Sequence, residues 1–234
     1  MDEEKCMNND SRLMRLVIGV SGSPLTNSNT DAAVHAVLAA TGCHTEFIKL
    51  SDYTVEPCRA CLGCVTTNRC VIADDGQMLA ERVKAADALV IGGFTPYSSL
   101  DARTKAFIER LYPLRHQQGF QRGKPGAAVI THAIPAGLEG MPPAADMGAN
   151  AIMFYMMEEG MQYLGAVLVP GNVPCIACGF GDECETSGLK MIFGPEMTVA
   201  KAGVNCLAYK PDVLAAAETL GRQIGLAVNG TPVG

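Results

Sequence analysis

The sequence predicts one α/β domain built on a doubly wound, five-stranded parallel sheet. Three observations point there. Five short apolar runs alternate with helix-patterned stretches, the order expected when each crossover between parallel strands is a helix. The third run, Ala88–Gly93, is apolar without alternation, as in a strand buried on both faces. The loops rich in Ser, Asn, Cys, Tyr and His follow strands, which gathers them at the C-terminal edge of such a sheet, where ligands bind. At 234 residues the chain is long enough for one large core, and no internal linker divides it. Residues 1–12 are polar and mixed in charge and read as a flexible tail, with 13–234 as the single domain.

The first strand is Leu13–Val20. It runs into Ser21-Gly-Ser-Pro-Leu-Thr-Asn-Ser-Asn-Thr30 and then a helix from Asp31 to Ala40 that stops near Gly42. A strand, a Ser/Asn loop and a helix N-terminus form an anion site, because loop amides and hydroxyls point at the ligand and the helix dipole favours negative charge. The loop carries no charge, and it lacks both the Lys-containing triphosphate loop and the three-glycine dinucleotide fingerprint. The plainer reading is a turn that only caps a helix. Glu46–Leu50 is the second strand. Asp74 or Asp75 caps the next helix, through Met78, Leu79, Val83 and Ala86. Phe94 to Arg110 is a turn followed by a helix, and Gly126–Thr131 is the fourth strand. His132 to Pro143 is a Gly- and Pro-rich loop. A helix is expected over Ala149–Leu164, with Met153, Met156, Met157 and Met161 as a buried stripe. Gly165–Val169 is the fifth strand, and Asp212–Ala227, with Pro211 near its start, closes the chain.

Between the second strand and its helix lies Cys58-x2-Cys61-x2-Cys64-x5-Cys70. Disulfides would be strained at this spacing. Structural zinc takes two ligands from one turn and two from a distant one. Four thiols around one compact loop suit a 4Fe–4S cluster better, and the expectation is all four on one cluster, with zinc as the rival. A second group, Cys175-x2-Cys178-x5-Cys184, repeats the spacing of the last three of these Cys inside the long insertion 170–210. Asn172 stands where Cys58 would, so a second metal site would need a non-Cys or remote fourth ligand, for which Cys206 is a candidate. A redox thiol group or a structural loop are the alternatives.

Ten Cys without an export signal point to metal rather than disulfides in a cytoplasmic protein. The net charge of −6 and the lack of any basic run argue against a nucleic acid partner, and no apolar stretch reaches membrane-spanning length.

Ser21-Gly-Ser-Pro24 with Ser28-Asn-Thr30, Thr95-Pro-Tyr97, Lys105-Ala-Phe-Ile-Glu-Arg110 and the four-Cys run together resemble the iron–sulfur flavoproteins of the flavodoxin-like, NADPH-dependent FMN reductase superfamily. The resemblance covers about Leu13 to Leu164. It implies FMN, a 4Fe–4S cluster, strand order 2-1-3-4-5 and a homodimer or homotetramer that brings the cluster of one subunit near a flavin. By the same resemblance, Ser21, Ser23, Asn27, Ser28, Asn29 and Thr30 would hold the FMN phosphate. Pro96, Tyr97 and Ser98 would lie against the isoalloxazine ring, and Cys58, Cys61, Cys64 and Cys70 would ligate the cluster. His132 falls near the expected flavin edge and is a candidate proton or hydrogen-bond donor. The leading function is electron transfer from a ferredoxin-like donor through cluster and flavin. A second is NAD(P)H-dependent reduction of a small oxidant such as a quinone, nitro compound or oxygen species. A third is a non-redox module binding zinc and a phosphate.

Overall fold

The structure, a computed structural model, describes residues 15–230. The tail expected over 1–12 and Cys6 lie outside the described residues. The strands are β1 (Leu16–Ser21), β2 (His44–Lys49), β3 (Ala88–Phe94), β4 (Pro125–His132) and β5 (Gln162–Pro170). All pairs are parallel, in the order β2-β1-β3-β4-β5. The helices are α1 (Asn29–Ala39), α2 (Asp75–Ala85), α3 (Ala102–Arg110), α4 (Ala144–Glu158), α5 (Gly188–Phe193), α6 (Val199–Ala202) and α7 (Pro211–Val228). Among the described residues no helix is long and apolar enough to cross a membrane.

The period-2 geometry of a strand sorts the core into two layers. Ile18 and Val20 of β1 meet Leu79 and Val83 of α2, Phe107 of α3 and Ile152 and Met156 of α4. Val17, on the opposite face, joins Val34, Val37 and Leu38 of α1 and Leu220 and Ile224 of α7. Helices α1 and α7 pack almost backbone to backbone. A Cβ at Gly221 or Gly225 would lie 2.2 Å from the Val37 carbonyl oxygen or 2.0 Å from that of Thr41. Caps set three helix starts: Ser28 accepts from the Asp31 amide, Asp74 from that of Gly76 and Asp101 from that of Thr104.

Two expectations are corrected. Helix α4 starts at Ala144, five residues before the expected Ala149, and ends at Glu158 rather than Leu164. Gly160, at φ +70°, turns the chain, so Met161 and Leu164 lie outside the helix, Leu164 in β5. Met156 and Met161 are buried, but Met157 is exposed, so the four Met do not form one stripe. The insertion 170–210 is folded, with α5, α6 and a small core of Val173, Leu189 and Ile192.

At the end of α4, Glu159 is buried and its Oε2 has no hydrogen-bond partner. Burial pushes its carboxyl up to about 7, against a lowering by Arg115 and a further rise from Glu158. Between the unfolded value of about 4.3 and about 7, the folded chain holds a proton that the unfolded chain has lost. Stability therefore falls as pH rises through this window. Glu159→Gln is expected to flatten that fall, and to be stabilising by about 1–3 kcal/mol at pH 8, in urea denaturation at several pH values.

Candidate functional site

Because every strand is parallel, the ends Ser21, Lys49, Phe94, His132 and Pro170 share one edge. The loops that leave them build the site.

After β1, Gly22 donates its amide to the Gly92 carbonyl (2.9 Å), tying the loop to β3. There is no room for a side chain here, since a Cβ at Gly22 would fall 1.8 Å from Thr104 Oγ1. Pro24 to Asn27 are exposed, and Asn27 takes a left-handed φ of +52°. The hydroxyl of buried Ser21 donates to Asp31 Oδ1 (2.5 Å) and accepts from the Ser23 amide (3.3 Å). Ser28 is the α1 cap. Thr30 bonds Thr131 on β4, Oγ1 to Oγ1 at 2.8 Å. Asn29 reaches away from the loop: it donates to the Asn205 carbonyl (2.9 Å) and accepts from the Leu207 amide (3.0 Å) in the insertion. Asn27 and Ser28 thus lie along the open turn; Ser23, buried, accepts from the Leu25 amide within it, and Ser21, Asn29 and Thr30 brace it from behind.

Lys49 is a charge at this loop that the sequence reading missed. The register Ser21↔Lys49 sets it beside the end of β1. Its Nζ donates to the Leu25 carbonyl (2.7 Å) and forms a short ion pair with Asp31. The loop is formally uncharged, but a cation and an anion lie beneath it. The signal was available in topology: the last residue of β2 must neighbour the loop after β1. Lys49→Met would leave the Asp31 carboxylate without its partner at 11% exposure. It is expected to cost about 1–3 kcal/mol in urea denaturation and to weaken retention of a phosphate ligand on gel filtration.

After β3, Pro96–Ser98 forms a 3-10 turn in which Tyr97 (φ +50°) and Ser98 (φ +59°) are both left-handed. That is a costly conformation for residues with a Cβ, and it concentrates where backbone groups must be aimed. Tyr97 is fully exposed and Ser98 is buried. After β4, His132 is buried, and its Nδ1 faces the Ile134 carbonyl at 2.8 Å. The carbonyl partner makes Nδ1 the donor and leaves Nε2 as the nitrogen open to a ligand.

After β2, Cys58, Cys61, Cys64 and Cys70 line one concavity together with Ile72, Arg110 and Pro113. Ala60 (φ +50°) and Leu62 (φ +56°) are left-handed between the thiols, and the Ala60 amide donates to Cys58 Sγ (3.4 Å). Burial pushes the Cys64 thiol up, and the neighbouring Cys70, Cys58 and Cys61 add to it. The loop is held from outside the thiols. Asn68 donates to the carbonyls of Pro113 (2.8 Å) and His116 (2.5 Å), and Gln77 to that of Cys70 (2.5 Å). Arg110, 1% exposed, was read only as part of a motif. Its guanidinium forks onto Asp74 at 2.6 and 2.7 Å and donates to the carbonyls of Glu56 (2.8 Å) and Ile72 (3.4 Å). It thereby fastens both ends of the Cys loop. Burial pushes the Asp74 carboxyl up, but the guanidinium and the amides of Glu56 and Gly76 outweigh it and hold the carboxyl below its ordinary value. Among the described residues no three metal-ligating side chains converge tightly enough for a single ion. Four thiols around a concavity, one with an amide donor on sulfur, have the chemistry to hold a cluster of several irons rather than a single ion.

Cys175, Cys178 and Cys184 lie in the insertion, and all nine described cysteines are free thiols. The structure does not hydrogen-bond Cys206 to this group.

A 2-1-3-4-5 sheet whose first loop opens a helix beside the β1/β3 crevice defines the flavodoxin-like class, in which flavin mononucleotide sits at that switch point. The chain belongs to the NADPH-dependent FMN reductase family, whose model matches residues 15–159. Its relatives include an iron-sulfur flavoprotein of Methanocaldococcus jannaschii, 38% identical over 121 residues covering 50% of this chain and 62% of that protein. An iron-sulfur flavoprotein of Methanosarcina thermophila is 31% identical over 116 residues, 48% of this chain and 61% of that one. The matched stretch thus spans about three fifths of the length of these two relatives. Among solved structures, a flavone reductase has a TM-score of 0.61 at 13% identity, covering 92% of this chain and 63% of that one. A flavodoxin from the domain Archaea has a TM-score of 0.51 at 16% identity, covering 92% and 99%.

Proposed function

We propose that the protein is an FMN-dependent oxidoreductase in which Cys58, Cys61, Cys64 and Cys70 hold a 4Fe–4S cluster that exchanges single electrons with the flavin. The observation that carries this reading is the four-thiol concavity on the same sheet edge as the hydroxyl-lined turn after β1. The names of the relatives agree with it. When bound, the flavin accepts electrons in pairs and the cluster moves them singly, so together they couple a one-electron partner to a two-electron one.

The protein's own part is positional. Ser23, Asn27, Ser28 and the free amides of the first turn of α1 would take the FMN phosphate, with Ser21, Asn29 and Thr30 bracing them, and Lys49 offsets the negative charge of Asp31 behind that turn. Pro96, Tyr97 and Ser98 would lie along the ring with their strained backbone. With Nδ1 donating to the Ile134 carbonyl, His132 Nε2 would accept a hydrogen bond at the ring edge. Arg110, paired with Asp74, keeps the Cys loop closed on its ligand. Leu62, Val71 and Tyr97 leave apolar surface exposed around these loops, suited to a second copy of the chain that brings one subunit's cluster near another's flavin.

The donor in this reading is a ferredoxin-like protein. The family's description favours a second reading, in which NAD(P)H reduces the flavin directly and a small oxidant takes the electrons. Anaerobic bleaching of the flavin separates them. With reduced ferredoxin, the variant carrying Ser at Cys58, Cys61, Cys64 and Cys70 is expected to bleach at least tenfold more slowly than wild type. Equal rates for wild type and variant, with rapid bleaching by NAD(P)H, would replace the first reading with the second.

A further inference from the structure

We propose that Cys175, Cys178 and Cys184 form a second thiolate site that binds an iron–sulfur cluster. Cysteine is among the most buried residue types, yet here Cys178 is exposed and the other two are only half-buried. Cys175 borders the small core of the insertion, while Cys178 and Cys184 do not pack into it. The thiols are presented by a built frame. The Gly188 amide, at the start of α5, donates to Cys175 Sγ (3.2 Å). The Phe180 amide donates to Cys178 Sγ (3.4 Å) across Gly179, whose φ of +82° bends the chain around the sulfur. Amide donors aimed at sulfur are contacts by which a protein positions and tunes a cluster held on thiolates.

The frame is ordered from below. Buried Ser187 donates its hydroxyl to the Gly181 carbonyl (2.7 Å), and Asp182 Oδ1 accepts from the Val199 amide (2.6 Å). The small core of Val173, Leu189 and Ile192 supports it. These contacts organise the loop without a ligand, so a mere staple is not what the three thiols are needed for.

The ligand class follows from spacing and place. Cys-x2-Cys-x5-Cys is the spacing of Cys61, Cys64 and Cys70, and three ligands from one short loop suit a cluster better than a zinc ion, which draws on two distant turns. The loop leaves the end of β5, on the edge shared by the other loops. It is tied to the turn after β1, since Asn205 exchanges hydrogen bonds with Asn172 (2.7 and 2.9 Å) and its carbonyl also accepts from Asn29 (2.9 Å).

The test is iron, sulfide and zinc analysis of the full chain, purified without oxygen and reconstituted with ferrous iron and sulfide. Wild type is expected to exceed the Cys175→Ser/Cys178→Ser/Cys184→Ser variant by about four irons per chain, and to show a second reduced-cluster signal in electron paramagnetic resonance that the variant lacks. The single Cys178→Ser change, at an exposed position, is expected to lose that signal with no change in unfolding midpoint. The variant with Ser at Cys58, Cys61, Cys64 and Cys70 is expected to keep this iron, so failure of the first site and failure of this one are read separately. Equal iron in wild type and the triple variant, or loss of zinc in place of iron, would overturn the proposal.

Discussion

Arg110→Ala is expected to destabilise the protein by about 3–5 kcal/mol, because it removes one partner of a buried ion pair and leaves the other charged and without its bidentate partner. Asp74 is the stranded partner, with its side chain 6% exposed and the guanidinium gone from both oxygens. The Glu56 and Ile72 carbonyls lose their donor at the same time, and these are the two ends of the Cys loop. Iron retention should therefore fall along with the unfolding midpoint. Arg110→Lys keeps the charge but cannot fork, and should recover only part of both. The pair also predicts an acid dependence. The Asp74 carboxyl is held low in the folded state, so its contribution is fully present above the unfolded value of about 4 and is lost as pH falls through the folded one. In Arg110→Ala that acid loss should shrink. Wild-type stability with an unchanged pH profile would remove Arg110 from the account.

Gly22→Ala is the second large effect. The added methyl has no place to go, since Thr104 Oγ1 would be 1.8 Å away and Asp101 Oδ1 3.0 Å. Overpacking of this kind costs about 1–3 kcal/mol, and here relaxation must move either α3 or the loop itself. The loop is the softer of the two, so flavin affinity is expected to drop at least tenfold while the rest of the fold survives. Thr104→Ala in the same chain removes the clashing oxygen, and the double variant should bind flavin better than Gly22→Ala alone. That non-additivity, read by fluorescence titration of FMN, is the signature of direct contact. An unchanged affinity in Gly22→Ala would mean the turn after β1 is not the flavin site.

The two predictions rest on contacts of different legibility. The alternation of strands and helices, the capping residue Asp74 and the Cys spacing are local patterns, and local patterns can be read from a sequence. The extent of α4 was not legible, because the Met positions keep a helical period past the point where Gly160 turns the chain. Arg110 and Asp74 are 36 residues apart, and their pairing exists only once α2 and α3 pack on the same face of the sheet. Lys49 becomes part of the turn after β1 only through strand register. Asn29 reads as a ligand-facing residue in a Ser/Asn run, yet it turns to the insertion, a partner about 176 residues away. Thus residue types marked the candidate site, while Arg110, Lys49 and the other groups that brace its loops were set by topology.

The most direct measurement is flavin and iron counted on one anaerobic sample of wild type and of the variant with Ser at Cys58, Cys61, Cys64 and Cys70. The account predicts one FMN per chain in both, and about four fewer irons in the variant, with the broad cluster absorbance falling in step. An iron count that does not change, zinc in place of the iron at these four thiols, or a wild-type chain that carries no flavin would contradict it.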